Sequence, residues 1–187
     1  MLLNPYRFST GDPPLPGVPT TWDPANKSPR ISLSDGDRRE NYVTAGYSGV
    51  RSIAKNSSGK WYVEITRTAA GRMPGIVTAA ADLLTFPGGD NNGLGLWNDY
   101  VYKNDSVITT VATGGAPVIG LLIDLDARTL QYRAGSATSI VIALPAGDIY
   151  VASGNGTSGA SPGSSLLNAG QDPFAYVVPD GYAPGFW

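Results

Sequence analysis

The run from Val118 to Arg133, VIGLLIDLDARTLQYR, constrains the fold more than any other part of the sequence. Ile119, Leu121, Ile123 and Leu125 alternate with Val118, Gly120, Leu122 and Asp124, so one face is wholly apolar and the other is nearly so, as in a buried strand. Asp126-Ala127-Arg128-Thr129 supplies a polar turn, and Leu130-Gln131-Tyr132-Arg133 resumes a strict apolar and polar alternation. The expectation is a hairpin whose first strand lies deep in a sandwich and whose second lies nearer an edge.

The rest of the composition agrees with an all-β chain. Among 187 residues there are 24 glycines and 15 prolines, while only 15% are charged. With only two glutamates, long solvated helices are not expected. A net charge of −2 with no basic cluster beyond Arg38-Arg39 argues against nucleic-acid binding. Cysteine and histidine are both absent, which removes disulfides, thiolate and histidine metal sites, and the Ser-His-Asp triad. The chain is therefore read as no enzyme, with no cofactor and no metal. Met1-Leu2-Leu3 leads directly into Asn4-Pro5, and no apolar run approaches the ~20 residues of a spanning helix, so neither a secretion signal nor membrane insertion is expected.

Residues 1 to 30 carry prolines at 5, 13, 14, 16, 19, 24 and 29 and almost no periodicity, which predicts an extended arm. From residue 31 to 187 the text is strand-like, with about a dozen short strands between turns at sandwich spacing. Lys60 to Arg67 is the clearest: Trp61, Val63 and Ile65 are expected inside, and Tyr62, Glu64 and Thr66 outside, with Glu64 near solvent or paired. Other strands are expected at Gly75 to Ala79, Ile140 to Leu144, Ile149 to Ser153, Leu166 to Asn168 and Phe174 to Val178. The stretch Phe86 to Gly93 and the small-residue stretch Gly154 to Ser165 read as flexible loops.

The ordered set GKWYVEI (59 to 65), GLGLWNDYVYKND (93 to 105), VIGLLIDLDARTLQYRAG (118 to 135) and LNAGQDPFAYVVPDGY (167 to 182) resembles the SPRY domain. That resemblance implies an antiparallel bent β-sandwich, a concanavalin A-like jelly roll, preceded here by the Pro-rich arm. Tyr132-Arg133-Ala134-Gly135 and Ala169 depart from the family's usual aromatic positions, so no ligand contact is carried over from it. The opening WDPANKSPRISLSDGDR (22 to 38) is similar to SPRY-type domains of tailed bacteriophages, and LLNPYRF (2 to 8) to the leader of phage structural proteins with lectin-like sandwiches. The resemblance implies a virion protein exposed on the particle surface, fastened to other virion proteins through Leu2, Leu3, Tyr6, Arg7 and Phe8, and assembled as a homo-oligomer.

Trp97, Asn98, Asp99, Tyr100 and Tyr102 form the best binding candidate, because flat rings beside polar groups grip sugars and peptides. The plainer alternative has Trp97 and Tyr102 packing the sandwich rim, and residue type favours it. Asp124 and Asp126 share a strand face, but turn-flanking carboxylates explain them better than a cation does. The functional expectation is adhesion through the loops at 86 to 105 and 154 to 165 to a bacterial surface glycan or protein, as a tail-tip or tail-fibre receptor-binding component. The alternative is a head decoration or head-fibre protein.

Overall fold

A computed structural model describes residues 17–69, 71–159 and 162–187. Two sheets form a sandwich, and there is no helix among the described residues. The first sheet runs in the order β1 (Trp22–Lys27), β4 (Ser48–Ser52), β14 (Tyr150–Asn155), β6 (Gly75–Val77), β7 (Gly93–Trp97), β8 (Tyr100–Lys103) and β9 (Ser106–Thr110). The second runs β12 (Ala137–Thr138), β11 (Thr129–Ala134), β10 (Val118–Asp124), β5 (Lys60–Arg67), β15 (Ser164–Asn168), β3 (Arg39–Tyr42) and β2 (Ile31–Ser34). Beside this path, β13 (Ile142–Ala143) pairs with β11, and β16 (Ala183–Pro184) pairs with β5, the one parallel pairing among otherwise antiparallel ladders.

The expected central hairpin is present: β10 and β11 pair from Gly120 opposite Arg133 to Asp124 opposite Thr129. β10 is interior and β11 lies near the sheet edge. The turn-flanking role of the aspartates also holds, since the Asp124 carboxylate accepts the Ala127 N–H and pairs with Lys60, while Asp126 accepts the Gly59 N–H. Trp61, Val63 and Ile65 face the core with Ile119, Leu121 and Ile123. Where β15 stops pairing with β5, β16 takes over beside Trp61 and Tyr62, and the C-terminal Phe186 and Trp187 rings close edge-on against Trp61 at 5.7 and 5.1 Å.

The outer face of β5 departs from the alternation rule. Tyr62 and Glu64 are buried rather than solvent-facing, because the segment 171 to 182 straps across them. The Phe174 ring meets Tyr62 edge-on at 5.1 Å. One Glu64 carboxylate accepts the Tyr62 hydroxyl and the backbone N–H groups of Ala175 and Tyr176, at 2.8, 2.7 and 2.9 Å. Phe174 to Val178 is consequently not a strand: two of its amides bond a side chain instead of a ladder. Gly120 makes room for the arrangement, since a Cβ there would lie 2.5 Å from the Tyr62 oxygen.

Residues 17 to 30, read from sequence as arm, contribute to the sandwich. Trp22 is fully buried and β1 pairs with β4. The buried Trp22 anchors the segment, together with backbone bonds from Thr20, Trp22 and Ser28 to Phe186, Asp37 and Gly49. Residues 1 to 16, with the docking candidates Leu2, Leu3, Tyr6, Arg7 and Phe8, lie outside the described residues.

Between the sheets sits a polar knot. Arg72 and Glu40 are both fully buried at 3.5 Å. Arg72 donates to Asn155 of β14, and Glu40 of β3 accepts from Ser153 of β14 and Ser165 of β15. Burial pushes the Glu40 carboxyl above its ordinary value, against the opposing pull of Arg72 and both serines. A raised native pKa means the stability linked to that proton is full below the ordinary carboxylate pKa and is lost as pH rises through the native one.

Two outcomes follow. Glu64→Gln, which sets an NH2 against a backbone donor, costs about 2 kcal/mol of stability in denaturant unfolding and accelerates hydrogen exchange at Ala175 and Tyr176 while sparing β10. Arg72→Met alone costs about 3 kcal/mol, whereas Glu40→Gln combined with Arg72→Met costs less than the single change, because no buried charge is stranded.

Candidate functional site

The β7–β8 hairpin organises the site. Trp97 ends β7 opposite Tyr100, and the chain reverses through Asn98 and Asp99. Asn98 adopts a φ of 51°, a left-handed conformation that asparagine tolerates better than most residues. The Asp99 backbone carbonyl accepts the Val111 N–H, and its carboxylate Oδ1 accepts both the N–H and the hydroxyl of Thr113. Those two Thr113 hydrogen bonds hold the Asp99 carboxyl below the usual carboxylate range. The turn is thus tied to the connection between β9 and β10.

On one side of this hairpin four rings run in a chain. Tyr47 meets Phe86 at 5.1 Å, Phe86 meets Tyr102 at 6.0 Å, and Tyr102 meets Trp97 at 6.0 Å. With Met73, Asp105 and residues 156 to 159 they line a pocket of about 330 Å3. Burial pushes the Tyr102 phenol up, so it stays protonated and able to donate across the neutral range. Phe86 is buried, and Tyr47 remains 41% exposed at the rim.

The segment 86 to 93, expected to be flexible, is packed. Phe86, Pro87 and Gly88 are buried, the Gly88 carbonyl accepts the Asp105 N–H, and a Cβ on Gly88 would come within 2.4 Å of the Tyr102 carbonyl oxygen. Its glycines therefore mark close backbone approach and not looseness. Likewise Gly154 and Asn155 belong to β14 and are buried, so the second loop begins at Gly156.

The five sequence candidates do not share one surface. Trp97 and Tyr102 enter the aromatic pocket; Asn98 and Asp99 line a different one; Tyr100 projects from the strand, 47% exposed. Both expected binding loops do meet, at the aromatic pocket. Sequence reasoning missed Tyr47 and Met73, which come from two other connections, and placed Phe86 only as the first residue of the expected binding loop 86 to 105. No group of three or more Asp and Glu is placed to hold a metal ion among the described residues.

No protein-family model and no curated protein matches the sequence. Solved structures do. The PSpry domain of TRIM65 is similar at 13% identity and a TM-score of 0.67, covering 80% of this chain and 92% of that one. The SPRY domain of human HERC1 is similar at 11% identity and a TM-score of 0.64, over 81% and 99%. Stonustoxin is similar at 15% identity and a TM-score of 0.61, over 80% of this chain and 27% of the toxin. At such identities the likeness speaks for backbone architecture alone, and on that ground, together with its two antiparallel sheets, this chain has the SPRY-domain fold.

Proposed function

We propose that the chain is a non-enzymatic adhesion module on the virion of a tailed bacteriophage, a tail-tip or tail-fibre component that grips a bacterial surface glycan or protein through the aromatic pocket. The observation carrying the binding part is the convergence of Tyr47, Phe86, Trp97 and Tyr102, from three different stretches of chain, on one surface pocket. Rings that could have been buried singly in the core instead form a shared concave wall, with Asp105 as the polar anchor. The virion part is supported by the phage-like sequences at 2 to 8 and 22 to 38.

Head decoration is the second reading, and one feature favours it. β9 is an uncharged edge strand, Ser-Val-Ile-Thr-Thr, with Val107 48% and Ile108 45% exposed. Such an edge suits pairing with a neighbouring subunit.

Phage particles carrying Trp97→Ala or Tyr47→Ala in this chain should adsorb to their host about tenfold more slowly or worse, as expected when a central aromatic anchor is lost. Particle yield should be unchanged. Unaltered adsorption with both variants would contradict the receptor-binding reading, and a loss of particle stability instead would favour decoration.

A further inference from the structure

A second pocket, of about 460 Å3, borders the same Asn98-Asp99 turn and shares no lining residue with the aromatic one. Its walls are the end of β5 with Thr68 and Ala69, the turn itself, and the connection at residues 113 to 117. The residue that sets its chemistry is Arg67, only 7% exposed.

Arg67 is the least compensated buried cation among the described residues. Its guanidinium makes one hydrogen bond, from Nη2 to the Ala116 carbonyl at 3.0 Å, and Nη1 is buried with no partner. The other buried arginine, Arg72, has Glu40, and the half-buried Arg38 has Asp172. Asp99 lines the same pocket and attracts the guanidinium through space, but it forms no hydrogen-bonded ion pair with Arg67, and its Oδ1 accepts from Thr113. Its Oδ2 is left without a hydrogen bond, and the side-chain amide of Asn98 makes none within the described chain.

An unpaired, desolvated guanidinium is costly, and an incoming carboxylate offsets that cost with charge-assisted hydrogen bonds. The rest of the lining suits a ring that carries hydroxyls: Asn98 can donate and accept, the Asp99 Oδ2 can accept, and Ala69, Ala116 and Pro117 supply an apolar wall. The space is sufficient for a sugar ring. We propose that this pocket binds an acidic sugar, with its carboxylate on Arg67 and its hydroxyls on Asn98 and Asp99. The site stands independently of whatever the aromatic pocket holds.

The test is an amide and Arg side-chain NMR titration of the full chain with sodium glucuronate. Glucose plus matched sodium chloride serves as the neutral control, and N-acetyl-aspartate amide as the peptide-like carboxylate. Saturable shifts at Arg67 Nε–H, Thr68, Asn98, Thr113 and Gly115 are expected with glucuronate at millimolar concentration and not with the control. Asn98→Ala should weaken them at least fivefold. Arg67→Met should abolish them while raising the melting temperature, since it removes a buried charge that lacks a partner, and a raised melting temperature separates lost binding from lost folding. Trp97→Ala should leave the shifts intact, so failure of the aromatic reading does not touch this one. Should Arg67→Met not fold, Asn98→Ala carries the decision. The proposal is overturned by the absence of saturable shifts, by the same shifts with sodium chloride, by their persistence in Arg67→Met, or by binding of the aspartate derivative alone.

Discussion

The Glu64 carboxylate is the interaction on which the second sheet depends. A strand with one solvated face needs only an apolar inner row, but β5 is covered on both sides, and the outer cover has no ladder of its own. A single side chain, placed by the strand, collects the Tyr62 hydroxyl and two strap amides. This satisfies backbone donors that would otherwise be orphaned over a buried surface. Tyr62 then lies flat because residue 120 of β10 is glycine, and the strap reaches on to β10 and β11 through the Tyr176 hydroxyl bonded to the Val118 carbonyl and the Arg133 guanidinium stacked over the Tyr176 ring.

Charge is handled in two ways within this sandwich. The Arg72 guanidinium is sealed between the sheets with Glu40 and Asn155, which fixes β3 against β14 through a directional network where an apolar contact would allow sliding. Arg67 is also buried but at the mouth of a pocket, with its hydrogen bond to a carbonyl and none to a carboxylate. The contrast between a closed network and an open one separates scaffold from surface chemistry more clearly than burial does.

Much of this was legible in the sequence, and the failures have identifiable causes. β5 was expected at Lys60 to Arg67 and occupies those residues, and the β10–β11 hairpin follows its alternation, since period-2 patterning reports inner faces directly. The outer burial of Glu64 was invisible because it is made by residues more than a hundred positions away. Phe174 to Val178 reads as a strand since Phe174 and Tyr176 both pack on β5 or β10, yet the N–H groups between them are spent on a carboxylate. At the site, Trp97 and Tyr102 could be picked out by residue type. Their separation from Asn98, Asp99 and Tyr100 could not, because a tight reversal turns neighbours in sequence toward different surfaces. Arg67 looked like an ordinary strand end, and its contact with the distant connection at Ala116 and Pro117 carried no local signal.

The SPRY-fold sandwich presents two chemically distinct pockets beside one hairpin turn, one walled by aromatic rings and one built around Arg67. The measurement that bears most directly on the account is immunogold electron microscopy of intact phage particles with antibody raised against residues 31 to 187. The account predicts label at the tail tip. Label confined to the head would contradict the receptor-binding role in favour of decoration, and particles free of label would contradict a place in the virion.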